Sequence, residues 1–445
     1  MTPYWDNGPV QLYQADARSI PLPDQSVHCV VTSPPYFGLR VYKDNDDRGI
    51  GLESRVEDYI GNLVDVFREV RRVLRDDGVA WLNLGDSYAS DTKGTGGPSV
   101  KQLSNAGSRH EMTRHSIDVT SGNRLGIPER VVLALQADGW TWRDTIIWHK
   151  KSAMPESVVG WRWERCRVTL QSQKSASSAG LYAEGSGNPT ARPGSGGVTG
   201  KMPEEYQTKY TDCPGCPKCA DNDGLVLRRG SWRTTQAHEY IYMLTKGMGY
   251  CADGEAVKTR LSDATLADGR NERGQRGTQG EYALVNGNAG FNPSGANRRS
   301  VWNDISPEPY GGSHFATFPS DLPRICIQAS TSERGCCSEC GSQWARVVDH
   351  KNMGITKSGT SNGMRTGLYG TQDEPASTST LGWRPTCNHD APVIPATVLD
   401  PFSGTATTCR AAQKLGRRAV GVDISEAYLD QAVRRLSAVT LPMGI

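Results

Sequence analysis

Val398-Leu399-Asp400-Pro401-Phe402-Ser403-Gly404-Thr405-Ala406-Thr407 is an apolar run that closes on a turn and reopens as a helix over 407–415. A second apolar run, Ala419-Val420-Gly421-Val422-Asp423, ends in a carboxylate, and a helix over 426–437 follows it. Short apolar runs bounded by turn residues read as buried strands of a parallel sheet. Strand, turn, helix, strand is the unit of a doubly wound α/β fold, with ligands bound where the strands end.

The same grammar recurs at the other end of the chain. Val10-Gln11-Leu12-Tyr13 and Val27-His28-Cys29-Val30-Val31 are strand-like, the latter ending in Ser33-Pro34-Pro35. Ile60, Leu63, Val64, Phe67, Val70 and Leu74 recur at helical spacing until Asp76-Asp77-Gly78 stops them, and the strand Val79-Ala80-Trp81-Leu82-Asn83-Leu84 follows. Residues 128–138 read as a helix, Thr145-Ile146-Ile147-Trp148 as a strand, and the Ser/Gly/Thr-rich stretch 88–123 as a loop. Between 152 and 311 the composition turns to Gly, Ser, Asn and Arg, with one convincing strand, Glu239-Tyr240-Ile241-Tyr242-Met243-Leu244.

Bulk composition constrains function little. Fifty Lys and Arg against 48 Asp and Glu give a net charge of +2 over 445 residues, so any nucleic-acid affinity must come from a local basic face. The first ten residues, MTPYWDNGPV, lack a basic segment followed by an apolar one, and no later stretch approaches the roughly 20 apolar residues of a membrane span. A cytoplasmic protein with no membrane partner is expected. Twelve cysteines without a leader, several spaced Cys-x-x-Cys, favour metal ligands or free thiols in a reducing compartment over disulfides.

The 400–423 segment has nucleotide-binding geometry: a Gly turn at the sheet's carboxyl edge and an acid, Asp423, about 20 residues on to accept ribose hydroxyls. The loop is not G-x-G-x-x-G, and it opens with a carboxylate that would repel pyrophosphate at a helix N-terminus. A cationic, phosphate-free nucleoside suits it better. S-adenosylmethionine is one: Asp400 could pair with its ammonium, the Gly404 backbone could admit its methionine portion, and Asp423 could hold its ribose.

Thr32-Ser33-Pro34-Pro35-Tyr36 also follows a buried strand and so lies at a ligand-binding edge. An exocyclic base amine is a poor nucleophile, because its lone pair is delocalised into the ring. Acceptors on its protons, here Ser33 Oγ and the Pro34 carbonyl, help the nitrogen toward sp³. Pro34 and Pro35 stiffen the loop and remove N–H donors. Tyr36 offers a stacking face worth about 1–3 kcal/mol, comparable to the few kcal/mol that extruding a base costs. Methylation at cytosine C5 would need a thiol nucleophile, usually in a Pro-Cys pair, and the chain has no Pro-Cys.

Together the two loops resemble those of the DNA amino methyltransferases, specifically the permuted beta class, in which the catalytic motif precedes the cofactor motif. Leu12-Tyr13-Gln14-Ala15-Asp16 is similar to that family's adenine-side cofactor strand, His314-Phe315-Ala316-Thr317-Phe318-Pro319 to the segment flanking its cofactor pocket, and Arg143–Lys150 to its later strands. Asn83-Leu84-Gly85-Asp86-Ser87-Tyr88 fits as well, although a loop Asp such as Asp86 is often a cap.

The resemblance implies a Rossmann-like doubly wound methyltransferase sheet, circularly permuted, with a large irregular insertion. It implies Ser33, Pro34, Pro35 and Tyr36 as catalytic residues and S-adenosylmethionine as cofactor. Asp16, Thr32, Phe315, Asp400, Pro401, Phe402, Ser403, Gly404, Thr405 and Asp423 would contact that cofactor. Double-stranded DNA is the implied partner, in a bacterial or phage-infected cell, and the family admits a homodimer and a cognate restriction endonuclease. Ser at the motif's first position usually accompanies cytosine N4 methylation, and Asp or Asn adenine N6, so cytosine is the expected target and adenine the alternative.

The expected division is a catalytic half over 1–151, a target-recognition insertion over 152–311 within which 226–247 can return to the core sheet, a cofactor-pocket segment over 312–330, a zinc-ribbon insertion over 331–395, and a cofactor-binding half over 396–445. Cys213, Cys216 and Cys219 are spaced to turn around one tetrahedral ion, with Cys166 as the fourth ligand; Cys337, Cys340, Cys387 and His389 form a second set, for which Cys336 is a substitute. Both would be structural zinc. Arg162, Arg165, Arg167, Arg228, Arg229 and Arg233 interleave with Trp161, Trp163 and Trp232, which suits phosphate contact and base reading. Other readings stay open at this point: a non-catalytic zinc-containing nucleic-acid-binding protein, or an RNA or protein amide methyltransferase using the same loop. An NAD-dependent oxidoreductase is disfavoured by the missing phosphate loop.

Overall fold

The computed structural model describes residues 1–38, 49–89, 119–151, 153, 160–171, 209–259, 295–308, 318–351, 355–356, 369–370 and 377–438. Among them, the main sheet has nine strands: β1 (Trp5–Asp6), β2 (Val10–Gln14), β3 (Val27–Thr32), β4 (Leu74–Leu84), β5 (Thr141–His149), β6 (His238–Thr245), β7 (Val301–Trp302), β8 (Thr397–Asp400) and β9 (Arg418–Asp423). Their spatial order is β1-β2-β9-β8-β3-β4-β6-β5-β7. From β2 to β4 neighbours run parallel, β6 is antiparallel to both β4 and β5, and β7 pairs parallel to β5. The α/β expectation is met, and the sheet is mixed. The two C-terminal strands lie in the middle, between β2 and β3, so the two loops singled out in the sequence follow adjacent strands.

Period-2 alternation within the strands feeds two apolar layers. Val30, Leu399 and Val420 face one layer with helix α1 (Val56–Val73) and helix α2 (Ile127–Ala137). Cys29, Val31, Val398 and Ala419 face the other, with α3 (Asp321–Ser330), α4 (Thr407–Lys414) and α5 (Glu426–Ser437). Helix α1 buries Tyr59, Leu63, Val66, Phe67 and Val70 at helical spacing. Arg72 in its last turn reaches the Ile20 and Leu22 carbonyls, Asp24 and Glu69.

Two expectations need correction. Strand β4 begins at Leu74 rather than Val79, because Val27 pairs with Leu74 ahead of a register shift, and Asp76-Asp77-Gly78 run inside the strand. Between 152 and 311 there is more strand than the single run expected: Arg162–Arg165 pairs with Leu225–Arg228, Arg167–Gln171 with Lys209–Asp212, and Val301–Trp302 joins the main sheet. The Arg162–Arg165 strand is mostly exposed, so it lacks the apolar signature by which strands are read from sequence. None of the described helices is long and apolar enough to cross a membrane.

Candidate active site

Because β2, β9, β8, β3 and β4 are parallel, their carboxyl ends share one rim, and the loops after Gln14, Thr32, Leu84, Asp400 and Asp423 meet there. A cavity of about 480 Å³ opens on this rim. Asp16, Ser33, Pro34, Pro35, Tyr36, Asp400, Pro401, Phe402, Ser403, Gly404, Thr405 and Asp423 all line it. Thr32 sits behind the wall, fully buried, and its hydroxyl donates to Asp400 Oδ1 at 2.7 Å. Phe315 lies outside the described residues, while Phe318 of the same segment lines the cavity.

On one side the chain presents carboxylates. Asp400 Oδ1 also accepts from the Phe402 N–H at 3.1 Å, and Oδ2 accepts the Thr408 hydroxyl at 2.7 Å. Its carboxyl therefore braces the loop after β3 against the start of α4. Burial outweighs these three hydrogen bonds and pushes its pKa up to about 6. Asp423 Oδ2 accepts the Gly404 N–H at 2.7 Å and Oδ1 the Ser425 N–H at 2.9 Å, and burial lifts it to about 6 as well. Gly404 has φ +48°, a left-handed turn that brings its N–H onto Asp423. Asp16 is paired with Arg18 at 2.7 Å.

The opposite side is organised around Tyr36. Its hydroxyl donates to Glu239 Oε2 at 2.8 Å, and Asn83 Nδ2 reaches Tyr36 Oη at 3.1 Å, Glu239 Oε2 at 2.9 Å and Ser33 Oγ at 3.4 Å. Lys150 at the end of β5 pairs with Glu239 Oε1. Burial, and then the Glu239 charge, raise the Tyr36 phenol well above its ordinary value, so it remains a donor. Tyr59 holds the loop from behind, donating to the Pro35 carbonyl at 2.9 Å. Gly85 makes room for the ring: a Cβ there would lie 2.8 Å from Tyr36 Cε2.

Glu239 and Lys150 carried no role in the sequence reading. The available signal was a carboxylate opening an otherwise apolar strand, where burial requires a partner. Asp86 lines the cavity and is also a cap: Oδ1 accepts the Ile127 N–H at 3.0 Å, and Oδ2 pairs with Arg124 at 2.8 Å. None of the eight predicted metal ligands lines the cavity. They gather instead in the two expected sets, Cys166, Cys213, Cys216, Cys219 and Cys337, Cys340, Cys387, His389. Cys336 stays apart, its thiol on the Ile394 carbonyl at 3.4 Å.

A family model described as DNA methylase, of the N6/N4 type, matches residues 27–338 and 395–434. The type II methyltransferase M.Cfr9I of Citrobacter freundii is 29% identical over 427 residues, spanning 96% of this chain and 87% of that protein. M.XycI of Xanthomonas campestris pv. cyanopsidis, also a type II methyltransferase, is 31% identical over 322 residues, 72% of each chain. Among solved structures, the cytosine-N4-specific PvuII DNA methyltransferase aligns over 98% of this chain and 90% of its own, with 12% identity and a TM-score of 0.42.

Proposed function

This chain belongs to the N6/N4 DNA methylase family and is a DNA methyltransferase; from that premise we propose that it methylates cytosine N4 in duplex DNA, with S-adenosylmethionine as donor. The observation that carries the reading is the single cavity lined both by Ser33-Pro34-Pro35-Tyr36 and by Asp400–Thr405 with Asp423.

The residues present fit such a donor. Five carboxylates line the cavity, Asp16, Asp86, Glu239, Asp400 and Asp423, and no phosphate-binding loop does, which matches a cationic, phosphate-free nucleoside. Asn83 Oδ1 and Ser403 Oγ, on two lining residues, are buried without a partner among the described residues. Asp423 would accept the ribose hydroxyls, Asp16 would mark the adenine side, and the Gly404 turn would admit the methionine portion. Bound there, S-adenosylmethionine supplies a methyl group on an electrophilic sulfur.

The chain's own work is on the base. Tyr36 offers a stacking surface whose tilt is set by Glu239 and Asn83. Ser33 Oγ and the Pro34 carbonyl accept from the exocyclic amine and raise electron density on nitrogen. With the donor held by Asp16, Asp423 and the Gly404 turn, these acceptors would orient the amine nitrogen toward the methyl group that the donor supplies and would draw on the amine protons as one is given up. Ser33, a neutral acceptor where the family also uses acids, favours cytosine over adenine.

In this reading the sheet is circularly permuted, with 1–151 as catalytic half and 396–445 as cofactor half around β8 and β3. The 152–311 insertion, outside strands β6 and β7, would recognise the target. There Trp161, Trp163 and Trp232 are 69%, 52% and 70% exposed, and Arg229 lies over Trp161 at 5.1 Å. The long exposed pairs Arg165–Asp212 and Arg167–Asp212, both 3.9 Å, are readily exchanged for phosphates. The type II names of the relatives suit a restriction-modification setting with a cognate endonuclease.

The test is methyl transfer from labelled donor to mixed-sequence duplex DNA, followed by nucleoside analysis. N4-methyldeoxycytidine is expected. N6-methyldeoxyadenosine would overturn the base assignment, and labelling of RNA or protein in place of DNA would overturn the substrate.

A further inference from the structure

The geometry points to two structural zinc ions in this chain, one held by Cys166, Cys213, Cys216 and Cys219 and one by Cys337, Cys340, Cys387 and His389. In each set the four ligand atoms lie within 4.8 Å of one another. Cys216 Sγ is 3.8 Å from Cys166 Sγ and 3.7 Å from Cys219 Sγ. A zinc tetrahedron with bonds of about 2.3 Å has edges of about 3.8 Å, whereas a disulfide would need about 2.05 Å. All twelve cysteines are free.

The backbone around both sets is shaped for a metal. The Cys213–Cys219 loop folds back on Cys166, with the Cys213 N–H on the Cys166 carbonyl at 2.8 Å. The Cys219 N–H bonds the Cys216 carbonyl at 2.9 Å, and the Cys216 N–H points at Cys219 Sγ at 3.4 Å. Such N–H groups stabilise the thiolate form that zinc requires. In the second set, the Gly341 N–H closes the Cys337-x-x-Cys340 turn on the Cys337 carbonyl at 2.8 Å. His389 turns Nδ1 toward Cys337 Sγ, 3.8 Å away, and Nε2 toward Glu339 at 3.6 Å, the carboxylate–histidine arrangement that orients a ligating imidazole.

Four protein ligands leave no open position for water, so both ions are structural. Each fastens a weak element. The first joins two short two-stranded sheets at Cys166, the residue between their strands Arg162–Arg165 and Arg167–Gln171. The second ties the distant Cys387-x-His389 stretch to a turn that docks on the main sheet through His28 and Arg75, which bond the Gly341 and Cys340 carbonyls at 2.9 and 2.8 Å.

Full-length protein produced in zinc-supplemented medium and dialysed without chelator should carry about two zinc ions per chain by mass spectrometry of metals. Cys216→Ser and Cys340→Ser should each carry about one, and the double variant none. Cobalt exchanged into the wild-type chain should give the intense visible bands of tetrahedral cobalt with thiolate-to-metal charge transfer, a readout that needs no variant to fold. A folded wild-type chain with neither zinc nor tetrahedral cobalt, or with iron in its place, overturns the proposal. A single ion lost in only one of the two variants overturns the other site. The count is independent of methyl transfer, so it stands or falls separately from the proposed reaction.

Discussion

Lowering the pH from about 7.5 to about 5 should weaken donor binding steeply while making the ligand-free fold more stable. Asp400 and Asp423 each have a folded-state pKa near 6 against an ordinary 3.8, because burial disfavours the charged form. The folded value lies above the unfolded one, so their contribution to stability is fully present below about pH 4 and is lost as pH rises through about 6. Each such carboxyl destabilises the ionised, ligand-free fold by about 3 kcal/mol. A bound donor reverses the balance, its ammonium favouring the Asp400 charge and its ribose hydroxyls, donating, the Asp423 charge. At about pH 5, some ten in eleven of such carboxyls are protonated, so requiring ionisation weakens binding about tenfold each and up to about a hundredfold together. Titration calorimetry in buffers of different ionisation enthalpy reads both the affinity and the protons released. The neutral-sulfur product should show a shallower pH dependence, and Asp423→Asn should remove about half the logarithmic slope. Donor affinity that changes by less than about twofold between about pH 5 and 7.5 would refute the idea that ionisation of these two acids is coupled to donor binding. Acids held low by partners, such as Glu69 beside Arg72, pull the other way at lower pH, so apo stability should pass through a maximum on the acid side.

The remaining predictions separate the two halves of the cavity. Ser33→Ala or Tyr36→Ala should lower turnover by about a hundredfold or more with donor affinity within a few-fold, read by single-turnover transfer beside calorimetry. Comparable losses in both would place these residues in donor binding instead. Glu239→Gln keeps the size but removes the charge that Lys150 and Tyr36 share, so turnover should fall by about ten- to a hundredfold, and unchanged kinetics would remove Glu239 as a positioning residue. Gly85→Ala places a methyl 2.8 Å from the Tyr36 ring and should cost about 1–3 kcal/mol of stability in denaturant titrations, with reduced turnover. Trp161→Ala with Trp163→Ala should weaken DNA binding in gel-shift titrations and leave donor affinity intact; unaltered DNA affinity would move recognition elsewhere.

Local chemistry carried much of the fold in the sequence. Val27–Val31 and Val398–Leu399 announce buried strands because every residue in them must leave water, and helix α1 announces itself by one apolar stripe. The turn after Asp400 and the Pro-Pro-Tyr loop were legible because Gly and Pro write backbone shape directly into the chain. Even the convergence of the two Cys and Cys/His clusters was legible, since thiols spaced two residues apart can meet with little chain between them. Where signals failed, the cause was equally local: the Arg162–Arg165 strand is exposed and charged, and the polar Asp76–Gly78 run, which follows a true helix end at Val73, hides the first residues of strand β4.

What no stretch of sequence contains is adjacency. Residues 32 and 400 are bonded through Thr32 and Asp400 across 368 positions, and Tyr36 meets Glu239 across 203. Strand order set those meetings: pairing β8 to β3 and β6 to β4 puts distant loops on one rim. The same burial that closes the rim moved the two acids to about 6 and made Glu239 and Lys150 necessary to one another. Residue types and turns are covalent and local, so the chain declares them; proximity and desolvation arise only once the sheet has assembled.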